Sequence, residues 1–212
     1  MLVFLIIAAL VVALGGAAAG AVAFGNERKR RRIGGGGEQH ALPAVSGDTF
    51  VERGLRDLRV GDVLTLDGKD FLCEGVVNYD EDGHRWSGAR LVDGKDVAWC
   101  IVGIERIGTA AVRLLYNDET DVAGYPPEVL VIGDVRFTLD KRGNATCKLV
   151  GDLGTLTGVK QSRPEGTVER CRWWLYASSG DDTAIVEQWG ADYRVLRGKK
   201  VAGDTIDLIP GS

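Results

Sequence analysis

FLCEGVVNYDEDGHRWSGARLV, residues 71–92, is the stretch that decides the fold. Two runs rich in β-branched and aromatic residues, Phe71–Tyr79 and Arg85–Val92, flank the polar segment Asp80-Glu81-Asp82-Gly83. Such residues suit a pleated, half-buried surface, and an Asp-Gly step supplies the positive φ angles a tight turn demands. The pattern predicts a β-hairpin.

The same grammar extends in both directions. Val63–Leu66 precedes the hairpin across the turn Asp67-Gly68, and Asp93-Gly94 leads on to Val97–Ile104 and Val112–Tyr116. Asn117–Pro127 is largely polar, ends in Tyr125-Pro126-Pro127, and reads as a connecting loop. Beyond it the strand candidates are Val129–Ile132, Val135–Asp140, Ala145–Val150, Val168–Ala177, Ala184–Trp189, Tyr193–Arg197 and Thr205–Ile209. Apart from a turn of helix near Thr49–Leu55, no stretch carries a 3.6-residue hydrophobic period. The expected fold is all-β, two related antiparallel β-sheet or small barrel-like units over residues 49–120 and 121–212.

An internal echo motivates the division. At an offset of 87, Arg85, Trp86 and Gly103 map onto Arg172, Trp173 and Gly190, and the turn Asp93-Gly94 falls opposite Gly180-Asp181.

The N-terminus is different in kind. Residues 1–24 carry no charged side chain, and Arg28, Lys29, Arg30, Arg31 and Arg32 follow as an unbroken basic block. At ~1.5 Å per residue an apolar helix of this length crosses the ~30 Å bilayer core. Ala21-Val22-Ala23 resembles a signal-peptide cleavage site, but no Lys or Arg precedes the apolar run, and the basic block resists translocation. The reading is a single-pass transmembrane helix over residues 1–25, then a polybasic stop and Gly-rich linker over 26–48. The positive-inside rule places the N-terminus outside and the globular region at the cytoplasmic face.

Beyond residue 32 the chain holds 21 basic and 29 acidic residues, a net charge of −8. Phosphate-backbone binding relies on clustered Lys and Arg, so nucleic acid is disfavoured as a partner. Cys73, Cys100, Cys147 and Cys171 include no CxxC pair, and there are two histidines, which argues against a zinc ribbon. Outside the cell two disulfides are open to them; in a reducing cytoplasm they are buried thiols.

Few residues suggest chemistry. Asn78 to Gly83 opens like a calcium loop, but Ala89 stands where the bidentate Glu belongs, so a solvated turn is the better reading. Asp80, Asp82 and His84 could serve acid–base chemistry, yet no nucleophile lies at a defined spacing. Cys171 and Trp173 alternate with Trp174 on a strand, and Trp86, Trp173, Trp174 and Trp189 are the candidate partner-binding aromatics. Core packing is the leading reading for Trp86 and for at least two of the other three, with some exposed aromatic surface as the alternative. No metal or cofactor is expected, and GxGxxG, GxxxxGK[ST], HExxH and GxSxG are all absent from the sequence.

The body resembles the bacterial family catalogued as domain of unknown function 4178. The resemblance rests on Leu58-Arg59-Val60-Gly61-Asp62, the stretch from Glu74 to Trp86, Gly124-Tyr125-Pro126-Pro127-Glu128, Cys171-Arg172-Trp173-Trp174 and Glu187-Gln188-Trp189-Gly190. It implies a β-rich domain, a bacterial setting and a link to membrane stress, and supplies no catalytic residue. The function expected is a non-catalytic, membrane-anchored binding or scaffold module with a protein partner. The alternatives are a polyamine or cation sensor serving an enzyme, and a hydrolase with an unmarked site.

Overall fold

The computed structural model describes residues 53–211 except 107–111, 123, 157–163 and 165. The expected transmembrane helix, basic block and linker lie outside the described residues. No helix of the described residues is long and apolar enough to cross a membrane. Of the turn of helix expected near Thr49–Leu55, the described residues show a 3-10 turn at Leu55–Asp57.

Among the described residues, eleven strands form one antiparallel sheet. They are β1 Val63–Leu66, β2 Lys69–Glu81, β3 His84–Asp93, β4 Asp96–Val102, β5 Val112–Asp118, β6 Val129–Ile132, β7 Val135–Gly151, β8 Val168–Ala177, β9 Asp182–Trp189, β10 Asp192–Val201 and β11 Ile206–Ile209. The order is β11-β1-β2-β3-β4-β5-β10-β9-β8-β7-β6, and a further pairing joins β2 to β7. That pairing sets Gly75–Asp80 against Thr146–Gly151 and closes β2-β3-β4-β5-β10-β9-β8-β7 into an eight-stranded ring. The strands on either side of residue 120 thus meet at three seams within one continuous sheet: β2–β7 and β5–β10 in the ring, and β1–β11 outside it.

Each half builds its arc by the same device. In β2 the register slips between Cys73 and Gly75, and in β7 between Leu139 and Lys141, leaving Glu74 and Asp140 as bulge residues. A one-residue slip moves every later side chain to the opposite face. Before its bulge β2 sends Phe71 and Cys73 to an outer layer; after it, Val77 and Tyr79 enter the ring. Phe137 and then Ala145, Cys147 and Leu149 do the same in β7. The hairpins β1–β2 and β6–β7 therefore fold back over the outside of the ring.

Three cores result. The ring interior draws on all eight strands, with Trp86, Trp99, Trp173 and Trp189 at its centre. An outer layer under β1 and β11 gathers Leu64, Phe71, Leu91 and Cys100, and a second under β6 gathers Ile132, Phe137, Trp174 and Tyr176. Each fully buried large apolar side chain contributes ~1.5–3 kcal/mol. The break expected between Asp140 and Ala145 does not occur. Lys141 to Asn144 look like a turn in sequence, but they keep pairing with β8, and Gly143 leaves room for the Glu81 carboxylate, which accepts from the Asn144 amide, and for the Trp173 ring.

Candidate binding groove

The hairpin that decides the fold also delimits the site. β2 and β3 turn through Asp82-Gly83, with φ of 51° and 86°, so the loop has two residues and Glu81 pairs with His84. Asp80 accepts hydrogen bonds from the Gly83 amide (3.0 Å) and the Arg85 guanidinium (2.8 Å). Arg85 holds the Asp80 carboxyl below the usual carboxylate range. His84 turns the other way, with Nε2 3.3 Å from the Ile104 carbonyl and its ring stacked 5.4 Å from Trp86. Asp80 and Asp82 share a cavity that His84 does not line. These three residues form no acid–base array.

The four tryptophans singled out from the sequence are all 5% exposed or less. Core packing, the leading expectation for Trp86 and for at least two of the other three, holds for all four, and the alternative of an exposed aromatic surface is overturned. Trp86, Trp173 and Trp189 fill the ring, and Trp174, on the other face of β8 as alternation requires, packs in the outer layer under β6. With eight strands the lumen is just wide enough for side chains to fill it, and large rings fill it best.

Sequence reading missed the charge inside that ring. Glu187 is 2% exposed and Arg194 6%. Their side chains form a close ion pair. Glu187 also accepts hydrogen bonds from the Tyr79 hydroxyl (2.7 Å) and from Trp189 Nε1 (2.9 Å). Arg194 lies 4.1 Å from the Trp99 ring centroid. Burial and then the Glu187 charge raise the Tyr79 pKa; for Arg194 burial is the largest influence and opposes the cation, but Glu187, Tyr79 and Cys171 together raise its pKa on balance. The only advance signal was Glu187 falling in line with Ile185 and Trp189 on β9; Arg194 stands on a strand that also carries Asp192, Arg197, Lys199 and Lys200 and was not marked out.

All four cysteines are buried free thiols. Among the described residues no group of three or more His, Cys, Asp or Glu side chains is gathered to hold a metal ion.

Two cavities lie outside the ring, on the strip of the β2–β7 seam that neither folded-back hairpin covers. The first, of about 550 Å³, is bordered by Arg56, Arg85 and Lys148, with Asn78, Ser87, Val102 and Val168 between them and Tyr79 and Trp86 contributing to its wall. The second, of about 1080 Å³, is bordered by Asp80, Asp82, Asn144, Arg170, Arg172 and Gln188. Asp80 and Thr146 line both, so the two form one trough. Five basic and two acidic side chains edge it. The acidic excess of the chain is not gathered here.

Residues 59–203 match the family described as Domain of unknown function (DUF4178). The chain belongs to that family. No curated protein and no solved structure matches it.

Proposed function

We propose that this member of the family is a membrane-anchored, non-catalytic binding module that holds a protein partner in the trough along the β2–β7 seam. The observation that carries the reading is the trough itself: two confluent cavities sharing Asp80 and Thr146, on the outer wall of the ring along the β2–β7 seam. The filled lumen and the separation of His84 from Asp80 and Asp82 support binding over catalysis. The uncharged residues 1–24 and the basic block Arg28–Arg32 support an N-terminal anchor with the body on the cytoplasmic side.

Two measurements test the parts separately. Alkaline extraction of membranes leaves the intact chain in the pellet and releases a chain lacking residues 1–25. Proximity labelling in cells recovers a defined set of proteins, and Val168→Glu, at an exposed position in the groove, removes them. An identical set from the variant would overturn the groove as the binding site.

A further inference from the structure

The trough has a sign. Arg85 is occupied by Asp80, but Arg56, Lys148, Arg170 and Arg172 form no ion pair with a described residue. In a body of net charge −8 beyond residue 32, four uncommitted cations along one uncovered strip form a local reversal of charge. Such a reversal selects partners by charge complementarity and steers their approach.

The trough also has a polar floor. Ser87 on β3 is 5% exposed, lines the first cavity, and its hydroxyl has no hydrogen-bond partner among the described residues. The hydroxyl is not among the fully buried side-chain atoms that lack a partner, so water reaches it from the trough, and a polar ligand group can take that water's place. Val168, 63% exposed, offers an apolar seat, with the buried Val102 in the cavity wall beneath.

Resting on the binding reading above, we infer that the occupant is an extended acidic segment of the protein partner. Its carboxylates meet Arg56 and Lys148 at one end and Arg170 and Arg172 at the other. An apolar side chain between them lies on Val168, with a polar group on Ser87. A bilayer is a poorer fit, because a flat surface does not reach the floor of a concave trough.

The test uses the full chain in neutral phosphatidylcholine nanodiscs and fluorescence anisotropy of labelled peptides. The probe is Glu-Glu-Leu-Glu-Glu-Leu; its lysine counterpart, inorganic phosphate and phosphatidylglycerol vesicles are the other arms. The acidic peptide binds, and Arg56→Gln with Lys148→Gln weakens it about tenfold or more, as does raising salt toward 1 M. Ser87→Ala, which keeps the charges, weakens it by a smaller factor. Acidic-peptide binding indifferent to these changes overturns the inference, as does preference for the lysine peptide, for phosphate alone or for the vesicles. If no probe binds but Val168→Glu still removes the partners in cells, the acidic segment is wrong and the groove stands. If neither responds, both fall.

Discussion

Trp86 and Trp173, 87 residues apart in sequence, meet edge to face inside the ring, their centroids 5.4 Å apart and their planes at 70°. They stand on β3 and β8, which hold corresponding places in the two arcs. The repeat noticed in the sequence thus brings its own equivalent residues into contact at the middle of the core. Gly103 and Gly190 follow the corresponding strands β4 and β9, both with positive φ. The cross-strand registers differ, because β3 joins β4 by a tight turn and β8 joins β9 by a longer one.

Truncating either ring therefore tests the closure. Trp86→Ala or Trp173→Ala should each destabilise by ~3–5 kcal/mol in urea unfolding. In a double-mutant cycle the pair should couple favourably by ~0.5–1.5 kcal/mol. Strict additivity would mean that the contact contributes nothing beyond burial.

The buried ion pair behaves asymmetrically. Glu187→Gln leaves the Arg194 cation in an apolar ring and should cost ~3–5 kcal/mol. The paired change Glu187→Met with Arg194→Met removes both charges, and should recover most of that loss. A double variant less stable than Glu187→Gln would show that the pair, with Tyr79 and Trp189, stabilises the ring outright.

At the β5–β10 seam a methyl group has nowhere to go. A Cβ on Gly198 meets the Leu114 carbonyl oxygen and comes within 2.9 Å of the Leu115 Cα, both backbone atoms. Gly198→Ala should cost ~2–4 kcal/mol or open the seam, read as loss of amide protection in β5 and β10. Gly180→Ala, with open space around it, is the control and should be near neutral.

Alkaline pH should weaken the fold through its thiols. Burial pushes Cys100 from 9.0 up to about 12, and burial followed by the Asp62 charge does the same for Cys73. A raised folded pKa means that the stabilisation is complete below pH 9 and is lost as pH climbs from 9 toward 12. Each thiol adds a slope of at most ~1.4 kcal/mol per pH unit in that window. Cys100→Ala should flatten the fall in urea midpoint above pH 9. An unchanged slope would exclude this thiol as a cause.

What the sequence determined by itself was local. Alternation and Asp-Gly turns placed the strands, several to the residue, as at Val63–Leu66, Val129–Ile132 and Val168–Ala177, because these signals act between neighbours in the chain. The alternation of Cys171, Trp173 and Trp174 likewise set the opposite faces they occupy. Ring closure was decided by tertiary structure: the Gly75–Gly151 pairing links residues 76 apart, and nothing within either segment announces it. The bulge at Glu74 was equally silent, since the apolar positions Phe71, Cys73, Val77 and Tyr79 run through it unbroken; at Asp140 the polar run to Asn144 read as a turn between two strands and hid the bulge inside one. The groove followed from both, being a strip of outer wall that two folded hairpins leave uncovered. Its cations, Arg56, Lys148, Arg170 and Arg172, come from three separate segments of the chain, and only the closed ring places them on one face.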